Sequence, residues 1–314
     1  MNTGPTITDC RLCPRRCGAN RGAGERGWCR SGGALRVFRW GPHFGEEPPI
    51  SGTRGAGTIF FSNCTLRCLY CQNWRWSQEG AGEEMDPARL AEIMLKLKAD
   101  GCHNWDLVSP TPWLPFIEEA RRRVAEVANL LPFVYNSSGF ESPETLDRYA
   151  GLVDVALTDL RYSTPELAKA ASGSAEYVGV ARAALLWLCA RLGPLETDDD
   201  GLARRGVICR ILVLPGHAGE AIDNLRWIAD NIGPELDISL MSQYTPAWRA
   251  VGNGDWGRRL SEQEYASVTE EAQRLGFESC WTQPLGAAGD DTLLGCEMPA
   301  GEGRVGETKA GTEK

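Results

Sequence analysis

From Gly57 onward the chain repeats one rhythm: a short apolar run, a turn, then an amphipathic helical stretch. Strands covered on both faces read as near-continuous apolar segments. The rhythm therefore predicts a parallel sheet with helices packed outside it. The runs are 57–62 (GTIFFS), 106–109 (DLVS), 133–136 (FVYN), 153–160 (VDVALTDL), 207–214 (VICRILVL) and 236–241 (LDISLM). About six such units predict an α/β fold, a partial (β/α)6 TIM-like barrel, rather than a doubly wound sheet. No G-x-G-x-x-G follows any strand, so the dinucleotide-fold signal is missing.

Capping chemistry sets the helix starts. Asp86 can cap a helix with Pro87 in its first turn, and Leu90, Ile93, Met94 and Leu97 share one face, which predicts a helix over 86–100. Ser142-Pro143-Glu144 and Thr164-Pro165-Glu166 repeat the signal, and Ser261 with Glu264 forms a capping box for a final helix to Leu275. Further helices are expected over 114–131 and 220–232, a solvated loop over 196–201 and a last short strand over 277–281.

The chain has 314 residues, with 33 Lys+Arg against 42 Asp+Glu, a net charge of −9. No stretch approaches the ~18 uncharged apolar residues of a membrane helix; the best candidate, 178–192, carries Arg182 and Arg191. The first ten residues lack the basic-then-apolar pattern of a secretory signal, so the cytoplasm is expected. The acidic balance argues against nucleic-acid binding. The chain is expected to divide into a Cys-rich metal-binding segment (1–50), a core (51–285) and a disordered tail (286–314).

Twelve cysteines in a reducing compartment read as metal ligands where they cluster and as small hydrophobes where they do not. Cys10, Cys13, Cys17 and Cys29 form one cluster, in a stretch (1–40) with eight Arg and only Asp9 and Glu25 as acids. Four thiols close a site, and zinc or an iron–sulfur cluster both fit. Such a short, apolar-poor segment needs a staple of this kind. Cys64, Cys68 and Cys71 form the second cluster, C-x3-C-x2-C, just after the first apolar strand. Three is the informative count: a structural zinc closes with four ligands, whereas three thiolates on a cubane cluster leave one iron open. A zinc knuckle with a distant fourth ligand remains the alternative.

The run 62–73 (SNCTLRCLYCQN), with aromatic Tyr70 before the third cysteine, resembles the cluster loop of the radical S-adenosylmethionine (SAM) superfamily. Together with GCHNWDLVSPTP, VYNSSG, VDVALTDLRY, CRILVLPG and SLMSQYTP, it is similar to the branch of iron–sulfur proteins related to pyruvate formate-lyase activating enzyme. The resemblance implies a 4Fe–4S cluster on Cys64, Cys68 and Cys71, with SAM chelating the fourth iron. Reductive cleavage of SAM would give a 5′-deoxyadenosyl radical that abstracts a hydrogen atom. A flavodoxin or ferredoxin would be the electron donor and a protein glycine the target, as for an activase; modification of a small molecule or tRNA is the alternative, and a non-catalytic iron–sulfur or zinc protein a third reading.

The same resemblance implies cofactor contacts at Tyr70 and at Thr111, in the Ser109-Pro110-Thr111-Pro112 turn that replaces the family's Gly-Gly-Glu-like turn. It also implies contacts at Asn136 and Ser137 after the third strand, and at Asp159 and Arg161 after the fourth. Arg210, inside an apolar strand, is costly unless paired and is expected to face the cofactor. Gln243 and Tyr244 are expected to line the substrate pocket.

Overall fold

The computed structural model describes residues 7–285. Its strands are β1 (Leu35–His43), β2 (Ala56–Phe61), β3 (Glu83–Met85), β4 (Trp105–Val108), β5 (Phe133–Ser137), β6 (Val155–Asp159), β7 (Glu196–Thr197), β8 (Ala203–Leu212), β9 (Asp237–Met241) and β10 (Cys280–Thr282). The helices are α1 (Pro48–Ser51), α2 (Trp74–Ser77), α3 (Pro87–Ala99), α4 (Leu114–Ala125), α5 (Pro143–Arg148), α6 (Pro165–Ser172), α7 (Tyr177–Leu192), α8 (Ala218–Asn231) and α9 (Glu262–Arg274).

One sheet runs in the order β10-β9-β8-β6-β5-β4-β2-β1-β3. The pairs from β2 to β10 are parallel, and β1 joins antiparallel to β2 and β3. The sheet does not close, yet residues of β1 and β10 line the same cavity, so it curls into a partial barrel. The caps act as the sequence implies. Asp86 accepts from the Arg89 N–H, Ser142 from Thr145, and Ser261 with Glu264 completes a reciprocal capping box. Leu90, Ile93, Met94 and Leu97 are all buried against the sheet.

Four expectations need correction. The segment 1–50 is not separate from the core, because β1 is hydrogen-bonded into the main sheet. Its apolar residues alternate with Arg36 and Arg39, and a bulge between Val37 and Arg39 breaks the period, which hides the strand from a pattern reading. The fourth helix stops at Ala125 rather than Leu131, since the chain must reverse into β5 and Pro132 pushes Leu131 toward extended backbone. Glu196–Thr197 pairs with β8 instead of lying in a free loop. The last strand begins at Cys280, not Phe277. The expected disordered tail, 286–314, lies outside the described residues. Among those described, no helix is long and apolar enough to cross a membrane.

Candidate active site

The three cysteines sit on the loop that leaves the C-terminal end of β2, the rim where β/α barrels carry their chemistry. Asn63 opens this loop with φ +71°, a left-handed conformation that Asn tolerates better than most residues. Backbone hydrogen bonds pin the loop along its length. The Asn63 N–H donates to Trp76 O, Leu69 N–H to Ala171 O and Cys71 N–H to Cys68 O, while Leu69 O accepts from Arg249 N–H. Gln78 Nε2 and Gln72 Nε2 tie the loop further, to Leu66 O and Gln243 O.

Each sulfur has a polar neighbour. Leu66 N–H reaches Cys64 Sγ at 3.4 Å, Ser77 Oγ lies 3.1 Å from Cys71 Sγ, and Arg161 Nη1 donates to Cys68 Sγ at 3.0 Å. Burial pushes the Cys64 thiol up to about 12 and also raises Cys71, and the neighbouring Cys68 adds to both. Burial disfavours the charged form of Arg161, but Asp159 and then Cys68 outweigh it and favour the charged guanidinium. Arg161 Nε donates to Asp159 Oδ2 at 2.9 Å and Nη2 to the same oxygen at 2.5 Å. Three thiols, a fixed cation and N–H and O–H groups directed at sulfur make a donor set suited to an iron–sulfur cluster.

Cys71 and Tyr70 form part of the wall of a cavity of about 500 Å³, within the ~300–1,000 Å³ range of ligand pockets. Ser109, Asn136, Ser137, Asp159, Arg161 and Arg210 also line it, as do Gln243 and Tyr244. Tyr70 is buried, stacks on Trp256 with centroids 5.4 Å apart, and its hydroxyl lies 2.7 Å from that of Tyr162. Gly139 (φ +75°) lets the chain after β5 pass close to β6; a Cβ there would lie 2.1 Å from Asp159 O.

One expected residue lies elsewhere and another is already paired. Thr111 is not in the cavity wall. Ser109 takes φ +57°, and the chain then enters a 3-10 turn in which Thr111 Oγ1 donates to buried Glu141 at 2.6 Å. Arg210 reaches the cavity, where it is paired with acids of the chain. Its Nε and Nη2 grip Glu47 at 2.8 and 2.5 Å, and Nη2 also bonds Glu46. Burial and the Glu46 charge raise Asp106 well above the carboxylate range, whereas Arg210 keeps Glu46 ionised despite its burial.

Sequence reasoning missed Arg39, His43, Glu46 and Glu47, all in the wall. Their signal was present: the acid pair before Pro48-Pro49 and a basic residue between Phe38 and Trp40. Tyr162, whose hydroxyl reaches toward Cys68 Sγ at 3.8 Å, was also missed.

The four N-terminal cysteines lie outside the cavity wall. Cys10 and Cys13 are buried, Cys29 half-buried and Cys17 exposed. Among the described residues, no three or more Cys, His, Asp or Glu side chains gather around a single point as a mononuclear metal site would.

A curled parallel β/α sheet, with three cysteines on the loop after its first parallel strand and a cavity beside them, is the arrangement that the resemblance to radical SAM proteins implies. Residues 58–185 match the model of the Radical SAM superfamily, a similarity that implies a 4Fe–4S cluster and SAM. The uncharacterized protein MJ0674 of Methanocaldococcus jannaschii is 28% identical over 280 residues, 86% of this chain and 76% of that protein. The uncharacterized protein MJ0808 of the same organism is 26% identical over 125 residues, 34% of this chain and 37% of that one. Among solved structures, the FeFe-hydrogenase maturase HydG from Carboxydothermus hydrogenoformans matches with a TM-score of 0.45 and 13% identity, over 74% of this chain and 54% of its own. The chain thus spans about half the length of that HydG chain.

Proposed function

We propose that this protein cleaves SAM reductively at a 4Fe–4S cluster held by Cys64, Cys68 and Cys71, and that the reaction serves hydrogen abstraction from a substrate in the adjoining cavity. When bound, the cluster and SAM supply the one-electron chemistry; the chain's residues bind, orient and shield. The supporting observation is the Cys68–Arg161–Asp159 chain of contacts, which joins the triad to the cavity wall.

Arg161 offsets negative charge at the triad and, fixed by Asp159, presents a guanidinium where a carboxylate such as that of SAM can be held. Ser109, Asn136 and Ser137 offer hydroxyl, amide and backbone groups along the same wall. Tyr70, Trp76 and Tyr244 cover the apolar part of the cavity and exclude water. A flavodoxin or ferredoxin fits as electron donor. The activating-enzyme resemblance favours a peptide glycine as target. A small molecule is the second reading, supported by the buried charges of the cavity wall, which suit a polar ligand enclosed within it. The N-terminal cysteines fit a structural staple holding zinc or a second cluster.

The test is anaerobic reconstitution followed by dithionite and SAM, with 5′-deoxyadenosine and methionine read by mass spectrometry. Wild type should form both and Cys68→Ala neither. Zinc without iron at the triad would overturn the proposal.

A further inference from the structure

Arg39 is a cavity residue whose hydrogen-bonding demand is unmet. It is only 6% exposed, lines the cavity, and its Nε and Nη2 have no hydrogen-bond partner among the described residues. The carboxylates of Glu46 and Glu47 are engaged by Arg210, and no described carboxylate lies within ion-pair distance of Arg39. The neighbouring Phe38 ring lies 5.9 Å from the guanidinium carbon, too far to replace a hydrogen-bond acceptor. A buried guanidinium left this way is costly to the fold.

The backbone takes trouble to put it there. Val37 pairs with Phe61, and both are core residues; Arg39 pairs with Phe60, and both line the cavity. Two residues of β1 therefore advance against one of β2, and the bulge at Phe38 turns Arg39 from the core face to the cavity face. Without the bulge, Val37 and Arg39 would share a face. Arg39 is also distinct from the cation at the cluster loop: β2, β4 and β5 lie between its strand and β6, and the charges that act on Arg161 include Cys68 whereas none of the cysteines acts on Arg39.

Resting on the radical SAM reading above, we propose that Arg39 anchors an anionic group, a carboxylate or phosphate, of a small-molecule substrate. An oxyanion in the cavity would accept from Nε and Nη2 in the bidentate geometry guanidinium favours, which satisfies both orphaned donors. With SAM held on the Arg161 side, the substrate would be fixed at its charged end by Arg39.

The test uses reconstituted wild type, Arg39→Met and Arg39→Lys, with unfolding followed by circular dichroism in chloride, acetate or inorganic phosphate at equal ionic strength. SAM affinity is measured in parallel by equilibrium dialysis. Acetate or phosphate should raise the wild-type midpoint above that in chloride by about 2 °C or more. Arg39→Met should gain nothing and Arg39→Lys only part. The better anion identifies the group. SAM affinity of the variants should stay within about twofold of wild type. No anion effect on wild type, or an equal effect on Arg39→Met, would overturn the proposal. So would a loss of SAM affinity above about tenfold, which would give Arg39 to SAM instead. If Arg39→Met does not fold, Arg39→Lys and Arg39→Gln carry the comparison. Failure of the radical SAM reading shows separately, as absence of 5′-deoxyadenosine from wild type.

Discussion

The two cysteine groups of this chain have similar spacing and opposite surroundings. The triad sits on a loop pinned by backbone bonds to α6 and α2, with Arg161 and Leu66 directing hydrogens at its sulfurs, Ser77 Oγ hydrogen-bonded to Cys71, and Cys71 in the cavity wall. The N-terminal tetrad contributes nothing to that wall, and its Cys17 is exposed. Arg21 Nη1 reaches Cys10 Sγ at only 3.9 Å, and the Cys29 thiol turns to Ser31 Oγ. Three thiols beside a cavity suit chemistry; four thiols outside its wall suit a staple. The two are mechanically joined, for the Trp28 ring packs against the guanidinium groups of Arg15 (4.2 Å) and Arg67 (4.4 Å), and Asn63 Nδ2 donates to Cys29 O.

The sharpest break is between groups. Cys64→Ser or Cys71→Ser should abolish 5′-deoxyadenosine formation, whereas Cys13→Ser should lower stability yet leave turnover per triad cluster within about threefold of wild type, a gap far below the thousandfold or greater loss expected of a missing cluster. Equal loss in both sets would erase the distinction. Next is Arg161→Leu, which removes the cation between Cys68 and Asp159. Partners of metal ligands typically matter about 10–100-fold; a loss of that order in SAM cleavage is expected, with Arg161→Lys recovering part through its charge. Retention of full activity in Arg161→Leu would leave the triad without its link to the cavity.

How much of this was legible beforehand divides along a physical line. Local chemistry was readable: Asp86-Pro87, Ser142-Pro143 and the Ser261–Glu264 box announce their helices within a few residues. The triad was readable because ligand spacing is also local. Arg39, Glu46 and Glu47 carried only a local hint, since their roles depend on the curl of the sheet and on partners such as Arg210, 163 positions from Glu47. Thr111 was misplaced because nothing in its neighbours signals the left-handed turn at Ser109.

Two smaller effects sharpen the joint between the groups. Trp28→Ala removes two cation–π contacts and should cost about 1–2 kcal/mol of stability in denaturant titration; an unchanged midpoint would mean the tetrad and triad are independent. Glu141, bonded by Thr111 behind the tetrad, is raised by burial to about 8. The folded state therefore keeps a proton that the unfolded chain releases near its ordinary value of about 4.3. The stability that this proton contributes is complete below that pH and declines as pH rises toward about 8. Glu141→Gln should flatten the decline in unfolding midpoint between about pH 5 and about pH 8; an unchanged slope would show that Glu141 is already ionised in the fold.

On the proposed reading the triad, and not the tetrad, presents an open iron to SAM. Low-temperature electron paramagnetic resonance of the reduced, reconstituted Cys13→Ser protein tests it directly, with and without SAM. An open iron at the triad predicts a reduced 4Fe–4S signal that survives this substitution and changes shape when SAM is added. A signal that vanishes with Cys13, or that SAM leaves untouched, would contradict it.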